Sequence, residues 1–310
     1  MAELCPWIDS VLIDTHEPSL IKDLIHLSKK IRTANVDASI SLYSEMRTSL
    51  ALWLASVNQR FGPATKLAQI FINRRLRQKR SRSAKPEFEY NLDLVRYFIQ
   101  MQGDRSGSLQ GPPYLSFDAN DVHNTKAEYY KSHNIETNRK LVFIHPGSGG
   151  SAINLTLQQY TDLATTLAEK IKLHFVITAG PDELETATRL ATLMQHLDCS
   201  VYHSQKGLVA FSRFIASCDL FISGSTGPLH IAGALDVNTA AFYPARRSAT
   251  PLRWQTLNQQ NRRLAFAPDR HVDENDMQTI NLQYCAETIT NFLINKPGSD
   301  ENSDTQTQQS

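Results

Sequence analysis

Residues 221–235 read FISGSTGPLHIAGAL, an apolar strand that passes through a turn of small residues into an apolar helix. Gly224 and Gly227 permit close backbone approach, and Ser225 and Thr226 supply hydroxyl groups at the helix start. The free amides and the positive dipole end of such a helix attract an anion. The stretch therefore predicts a strand–turn–helix unit that binds a phosphate or a diphosphate.

His230 lies on the first turn of this predicted helix, where its imidazole can reach the same anion or a sugar hydroxyl. An ordinary capped helix with a buried histidine explains the same pattern about as well. The segment by itself leaves both interpretations open.

A glycine-rich loop lies upstream, where the apolar run 141–144 is followed by HPGSGGS. The run predicts a buried strand, and the loop after it can bring backbone amides to a phosphate oxygen. The candidate phosphate contacts are Gly147, Ser148, Gly149 and Gly150. For a lone loop of this kind, a flexible connector is the alternative.

A third segment, residues 175–183, reads FVITAGPDE, and a helical pattern follows over 184–197. The segment again predicts a strand that ends in a turn. Asp182 and Glu183 can serve a ligand at that strand end, or they can simply favour a helix N-terminus through its dipole.

From residue 141 to residue 243 the pattern alternates predicted strands and helices with short loops. Such alternation predicts a parallel sheet with helices on both faces. Every candidate ligand residue follows the end of a predicted strand, where open α/β sheets place their binding sites. This agreement supports a binding site at the carboxyl edge of the sheet.

The N-terminal half carries a second, less regular α/β pattern. It predicts strands over 10–13 and 38–42, and helices over 20–31, 44–57, 92–101 and 119–132. We expect an N-terminal domain over 1–135 and a C-terminal domain over 136–295. Residues 296–310 are polar without an apolar anchor, so a disordered tail is expected there.

The composition indicates a globular chain, because 310 residues with 41% hydrophobic content can build two cores. A net charge of +1 argues against a nucleic-acid-binding protein. The four cysteines lack metal-ligand spacing, which favours reduced thiols and a cytoplasmic location. The chain has no signal-peptide pattern and no apolar run long enough to span a membrane.

A strongly basic stretch forms an insertion in the predicted N-terminal domain. Its cationic residues are Arg74, Arg75, Arg77, Lys79, Arg80, Arg82 and Lys85. Such a cluster suits an anionic partner, for example a phosphorylated lipid or the inner membrane surface. A solvated helix face or a mobile loop is the alternative for a charge run of this kind.

Three of these segments resemble the signature loops of glycosyltransferase family 9, the bacterial lipopolysaccharide heptosyltransferases. The turn at 225–230 reads Ser-Thr-Gly-Pro-Leu-His, the loop at 145–147 reads His-Pro-Gly, and the turn at 180–183 reads Gly-Pro-Asp-Glu. The appearance of these motifs in the right order is more specific than any one of them.

The resemblance implies an α/β, GT-B-like fold with two Rossmann-like domains and parallel sheets, the N-terminal one incomplete. It implies inverting transfer of a heptose from a nucleotide-diphosphate sugar, most readily ADP-heptose, to the lipopolysaccharide core or lipid A. The donor diphosphate would lie on the 145–151 loop and the 224–230 turn, which includes Pro228, and the donor ribose on Glu183. Peripheral contact with the inner membrane is compatible with this activity, and no cofactor, metal or nucleic acid is expected.

The chain also departs from the family pattern. Ser225 stands where many members carry Asp. Where members carry a Lys and a Trp-Pro step, this chain has Ile153, Leu155 and Thr156. The family's Gly-Asp loop, whose Asp is proposed as the catalytic base, has no counterpart here, so no catalytic residue is assigned. Two explanations stay open: a start codon placed too late, or a catalytically inactive paralogue that binds the nucleotide sugar. An epimerase of the same two-domain architecture is a more remote alternative.

Two arginines near the end of the last predicted strand complete the candidates. Arg246 and Arg247 follow the strand over 239–243, and either guanidinium could meet a donor or acceptor phosphate.

Overall fold

The computed structural model describes residues 1–5, 7–16, 18–104, 107, 110–147, 149, 153–269 and 276–295. Its contacts divide the chain into two compact units, with the main boundary along the chain between Gln110 and Gly111, and with Met1 and Glu3–Cys5 grouped with the C-terminal unit. The division falls at residue 110 rather than after residue 135, because the helix Ala119–Ser132 contacts a helix of the C-terminal unit. The expected tail over 296–310 lies outside the described residues.

The N-terminal unit alternates short strands with helices. Its elements are α1 (Leu20–Thr33), β1 (Ala38–Ile40), α2 (Met46–Leu54), β2 (Gln59–Pro63), β3 (Arg74–Leu76) and α3 (Glu87–Met101). The strands form a parallel sheet in the order β1-β2-β3. Buried apolar residues on α1 and α2 form a small core, and Phe61 of β2 packs edge-on against Tyr97 and Phe98 of α3.

An ionic contact fastens the first two helices of this unit to each other. Arg47 of α2 pairs with buried Asp23 of α1 and, at 2.6 Å, with Asp14. The guanidinium of Arg47 lowers the pKa of Asp14 through the hydrogen bond that it donates. A buried carboxylate needs such a partner, because an unpaired charge is costly to remove from water.

The C-terminal unit holds the larger sheet. Its strands are β4 (Lys140–His145), β5 (Leu173–Ala179), β6 (Cys199–His203), β7 (Leu220–Gly224), β8 (Thr239–Phe242) and β9 (Arg263–Phe266). Its helices are α4 (Ala119–Ser132), α5 (Leu157–Ala168), α6 (Leu184–Leu193), α7 (Gly207–Ala216), α8 (Gly227–Ala234) and α9 (Leu282–Ile294). The predicted alternation over 141–243 is confirmed, with small shifts at the element ends.

Helices cover both faces of this sheet. Val142 and Ile144 of β4 face a core that also contains buried residues of α5, α6 and α9. Leu141 and Phe143 point to the opposite face, into a core shared with α4, α7 and α8. A strand that is buried on both faces must be apolar at successive positions, as the LVFI run of β4 is.

All neighbouring strands of the larger sheet run parallel, in the order β6-β5-β4-β7-β8-β9. Counted along the unit, this order is 3-2-1-4-5-6, that of the doubly wound Rossmann fold. The prediction of an α/β protein with parallel sheets in two Rossmann-like domains is therefore confirmed. The N-terminal sheet has three described strands, whereas the C-terminal sheet has six.

Two local predictions for the N-terminal unit need correction. The predicted strand over 10–13 is wrong, because these residues form no strand and Val11, Leu12 and Ile13 are exposed. The basic stretch is neither one helix face nor one loop. Part of it is β3, paired with β2, and Arg80 bonds Glu87 at 2.7 Å.

Within the described residues, no helix has both the length and the apolar character needed to cross a bilayer. Cys5, Cys199, Cys218 and Cys285 are all free thiols.

Candidate ligand-binding site

The strand order of the larger sheet reverses between β4 and β7. From β4 the chain proceeds outward through β5 to β6, and it then returns to the other side of β4 for β7, β8 and β9. The loops after β4 and β7 consequently leave the sheet in opposite directions and open a crevice at its carboxyl edge. Ligands of open α/β sheets bind in this kind of crevice.

A cleft of about 740 Å³ lies at this edge. Its walls come from the loops after β4, β5, β6 and β7 and from the first turns of α7 and α8. The lining residues are His145, Gly149, Gly180, Pro181, Glu183, His203, Ser204, Gln205, Gly207, Leu208, Phe211, Thr226, Gly227 and Pro228.

The turn between β7 and α8 is anchored by hydroxyl groups. Ser223 donates a hydrogen bond of 2.9 Å to the carbonyl of His145, and its Oγ lies 3.0 Å from the Oγ1 of Thr226. Thr226 is the residue before α8, and its side chain does not cap the helix. Within the described residues, no cap side chain therefore bonds the amides at the start of α8, which leaves them available to an anion.

Asn154 braces the loop after β4. Its Nδ2 donates to the carbonyl of Pro146 at 3.1 Å, and its Oδ1 accepts a hydrogen bond of 2.5 Å from buried Tyr160. A Cβ added to Gly224 would lie only 2.6 Å from this Oδ1. The amide group of Asn154 therefore packs directly against the end of β7. One side chain therefore contacts both loops that flank the crevice.

Glu183 and His145 form a polar pair at the floor of the cleft. The Nε2 of His145 lies 3.3 Å from the Oε2 of Glu183, and its Nδ1 lies 3.0 Å from the hydroxyl of Thr178. Burial lowers the pKa of His145, against the opposing effect of the Glu183 carboxylate. The imidazole is therefore neutral at pH 7, with one nitrogen as donor and the other as acceptor.

The loop after β6 forms the wall beside these groups. His203 lies with its Nε2 3.3 Å from the carbonyl of Pro181, and Gln205 approaches its Nδ1 at 3.1 Å. Leu208 is 49% exposed at the start of α7 and gives this wall an apolar surface. An apolar surface beside a polar one is what a nucleotide base and its sugar need.

The structure brings most of the predicted residues together. Gly149, Glu183, Thr226, Gly227 and Pro228 line the one cleft. Gly147 lies directly against the carboxyl group of Glu183, and Ser225 is half-buried in the turn before α8. Ser148 and Gly150 lie outside the described residues.

Three predicted residues do not line the cleft. The ring of His230 packs edge-on near Trp254, with 6.3 Å between the ring centroids. Arg246 and Arg247 follow β8, one strand further along the sheet. None of the three is among the lining residues.

Sequence reasoning missed Asn154 and His203 as parts of the site, and it included His145 only as a member of the 145–151 loop. His145 stands in the His-Pro-Gly motif and His203 ends a strand, so both carried a positional signal. Asn154 carried no such signal, because its contacts join residues that only the fold brings close.

Comparison with known proteins gives consistent matches. A family model described as glycosyltransferase family 9 (heptosyltransferase) matches residues 24–284. A Haemophilus influenzae protein described as "Putative glycosyltransferase" is 39% identical over 296 residues, which cover 95% of this chain and 85% of that protein.

Solved structures share the fold at low sequence identity. The glycosyl transferase family 9 structure from Veillonella parvula has a TM-score of 0.73 at 16% identity and covers 95% of this chain and 85% of that one. The E. coli ADP-heptose lps heptosyltransferase II has a TM-score of 0.69 at 17% identity, with 88% and 81% covered.

Proposed function

This chain belongs to glycosyltransferase family 9, and on that premise we propose that it transfers a heptose from a nucleotide-diphosphate sugar to the lipopolysaccharide core, with inversion. ADP-heptose is the donor that we favour. The observation that carries the proposal is the meeting of three predicted turns in one cleft. The turns follow β4, β5 and β7, and each contributes to the lining.

We assign the donor diphosphate to the amide-rich side of this cleft. The uncapped start of α8, with Thr226 and Gly227, offers backbone N–H groups and the positive end of a helix dipole. In glycosyl transfer, negative charge grows on the leaving diphosphate, and fixed dipoles stabilise it in the transition state. The same amides that bind the donor would therefore also promote its departure.

We assign the nucleoside to the wall formed by the loop after β6. Leu208 and Phe211 supply apolar surface, and Gln205 and His203 supply polar groups. This mixture suits an adenine base and a ribose.

For the acceptor we favour a hydroxyl of the lipopolysaccharide core or lipid A. The exposed cations Arg74, Arg75 and Arg77 on and beside β3 supply charge complementary to a phosphorylated lipid at the inner membrane. The catalytic base remains unassigned.

The test is release of ADP from ADP-heptose, measured with and without heptose-deficient lipopolysaccharide as acceptor. We expect release that depends on the acceptor. Binding of ADP-heptose without any release would favour the alternative function, a catalytically inactive nucleotide-sugar-binding protein. Absence of binding to both ADP-heptose and ADP would overturn the proposal.

A pair of matched variants locates the binding site. A Cβ at Gly227 meets no atom within 4 Å, so a side chain fits there without a clash. Gly227→Asp places a carboxylate at the helix start, where it repels the diphosphate, and Gly227→Asn adds the same bulk without the charge. We expect the Asp variant to bind ADP at least about tenfold more weakly than the Asn variant, which corresponds to about 1.4 kcal/mol of binding free energy.

A further inference from the structure

A second groove opens at the amino edge of the larger sheet. Lys140 begins β4 and Asp219 directly precedes β7, and both residues line this groove. The rest of the lining comes from α4 and the loop after it. The groove has a volume of about 640 Å³, which is in the range of small-molecule sites. Because the strands are parallel, it lies at the other edge of the sheet from the cleft of the proposed function.

The charged side chains of the groove leave a surplus of positive charge. The lining contains one carboxylate, that of Asp219, and four cations: Lys126, Lys131, Arg139 and Lys140. Lys126 neutralises Asp219, because its Nζ lies 3.0 Å from both carboxylate oxygens. Arg139 pairs with Glu136 at 3.4 Å and with Asp198 at 3.2 Å. The other two cations form no ion pair with a described residue, so two positive charges are uncompensated.

These two cations, Lys131 and Lys140, lie on different elements. Lys131 is exposed in the last turn of α4. The Nζ of Lys140 donates to the carbonyl of Leu293 at 2.8 Å, a bond that positions the ammonium group without cancelling its charge. Between the two lysines in the chain, Thr137 and Asn138 are exposed and form no side-chain hydrogen bond with a described residue. They add neutral polar groups to the charged ones.

The groove also has an apolar floor, formed by the buried side chains of Tyr130 and Ile135. The Tyr130 hydroxyl donates to the carbonyl of Arg139 at 2.5 Å, so the polar end of this side chain is already bonded. Burial raises the pKa of Tyr130 to about 12, and the ring therefore stays uncharged at pH 7. The amide of Ile135 donates to the carbonyl of Tyr130 at 2.9 Å and holds the turn after α4. This lining matches a ligand that has an apolar part and an anionic part.

We propose that the groove binds a small phosphate ester, with the phosphate on Lys131 and Lys140 and the organic part against Tyr130 and Ile135. A phosphate monoester carries a charge of about −1.5 to −2 at pH 7, which matches two uncompensated ammonium groups. Lysine binds phosphate as a point charge and does not need the planar geometry of an arginine fork. A free phosphate ion would leave the apolar floor uncovered, so the organic part adds affinity. This site is separate from the cleft of the proposed function, and either can exist without the other.

Phenyl phosphate is a suitable probe, because it joins a phosphate monoester to one aromatic ring. We expect calorimetric titration to show that the native chain binds it about tenfold more tightly than inorganic phosphate, through the apolar contact. Phenol, which lacks the anion, should not bind measurably. Equal affinity for phenyl phosphate and inorganic phosphate would overturn the assignment to an ester. Equal affinity for phenyl phosphate and phenol would overturn the role of the lysines.

Matched variants at Thr137 test the charge of the groove. The side chain is exposed and unbonded within the described residues, so neither variant should disturb the fold. Thr137→Glu adds a carboxylate to the lining, whereas Thr137→Gln adds similar bulk without the charge. We expect the Glu variant to bind phenyl phosphate about tenfold more weakly than the Gln variant, because like charges repel. Equal affinities in the two variants would overturn the site.

A second pair of variants tests the assignment to Lys131. Lys131→Met removes the charge and keeps most of the side-chain length, and should weaken phenyl phosphate about fivefold. Lys170→Met makes the same change at an exposed lysine after α5 that does not line the groove, and should leave the affinity unchanged. Equal losses in both variants would indicate general attraction to surface charge and would overturn the site.

Backbone amide chemical shifts of the isotope-labelled native chain locate the bound probe. Phenyl phosphate should shift the amides of residues 131–138, whereas the proposed function expects ADP to shift those of residues 226–227. Phenyl phosphate shifts confined to 226–227 would overturn the groove site and leave the proposed function standing. Shifts at 131–138 without any response to ADP would support the groove site and count against the proposed function.

Discussion

The two units of this chain use the same kind of parallel sheet at very different depths of burial. All seven residues of β5 in the larger sheet are buried. In the smaller sheet, β1 is only half-buried along its length, and β3 presents Arg74 and Arg75 to solvent. The outer strands β6 and β9 of the larger sheet are also only partly buried, so the units differ in their inner strands: four in the larger sheet, and β2 alone among the described strands of the smaller one.

The helix starts also differ between the units. Side-chain caps from Asp118, Thr156 and Asn281 begin α4, α5 and α9 of the C-terminal unit. The helices α6, α7 and α8 begin without such a cap, as do α1, α2 and α3 of the N-terminal unit. Among the α-helices described, side-chain caps therefore occur in half of those of the C-terminal unit and in none of those of the N-terminal unit.

The largest expected effect compares isoleucines in the two sheets. Ile144→Ala in β4 removes a fully buried side chain and should lower the free energy of unfolding of its unit by about 3 kcal/mol. Ile40→Ala in β1 removes a half-buried one and should cost about half as much.

Urea unfolding followed by tryptophan fluorescence checks this comparison. Trp254 reports the C-terminal unit when Trp7 and Trp53, both in the N-terminal unit, are replaced by Phe. Ile40→Ala is followed in the complementary variant that keeps Trp53. Equal losses in the two units would contradict the difference in burial.

A smaller effect is expected at the brace between the cleft loops. Asn154→Ala removes the hydrogen bonds to Pro146 and Tyr160, each worth about 0.5 to 1.5 kcal/mol, and should weaken ADP binding about tenfold. Isothermal titration of ADP measures this loss. Gln158→Ala, which removes an exposed amide from α5, serves as the control and should bind ADP normally.

Next in size is the helix cap. The Thr156 hydroxyl accepts a hydrogen bond from the amide of Gln159, and the Gln159 Oε1 accepts one of 3.0 Å from the backbone amide of Thr156, which together form a capping box. Thr156→Ala should therefore cost about 1 kcal/mol of stability in urea unfolding. Ser19→Ala at the start of α1, where no such bond exists, should change stability by less than about 0.5 kcal/mol. A loss of similar size in both variants would show that capping does not distinguish the units.

The smallest expected effect is a pH dependence that is specific to the C-terminal unit. Burial lowers the pKa of His145, His174 and His230, all in this unit. Above about pH 6.5, the ordinary value, these imidazoles are neutral in both the folded and the unfolded chain. As the pH falls below that value, the unfolded chain takes up protons that the folded chain does not, so the free energy of unfolding decreases.

Urea midpoints reported by Trp254 between pH 7.5 and pH 5.5 measure this dependence. His230→Gln should flatten the decrease, because it removes one group whose protonation favours unfolding. His123→Gln, which changes an exposed histidine of α4, should leave the slope as it is. A slope unaltered by His230→Gln would contradict the assignment of the effect to burial.

Much of the C-terminal unit could be predicted from sequence alone. The helix over 119–132 has the bounds that its pattern predicts, although only Tyr129 and Tyr130 on it are buried. Five of the six strands of the larger sheet were predicted, and the inner ones are apolar runs because burial on both faces imposes that composition. The sixth strand, β9, was not predicted. The glycine turns at the ends of the predicted strands then located the cleft.

The remainder depends on contacts between distant residues. Val11, Leu12 and Ile13 have the composition of a strand but no partner strand, and composition cannot reveal a missing partner. β3 is the opposite case, since Arg74 has a poor strand composition yet pairs in register with Phe61. The contact between Gly149 and Glu183 likewise exists only because β4 and β5 are neighbours in the sheet.

The reversal of strand order at β4 and β7 also determines where this chain can change without loss of its cleft. β6 and β9 are the two outer strands of the larger sheet, and the loop from α6 to β6 lies at the opposite, amino-terminal edge. Insertions in the loop from α6 to β6 would therefore extend the surface away from the cleft and leave the residues that line it in place. New surface segments can be added at this edge without changing the cleft.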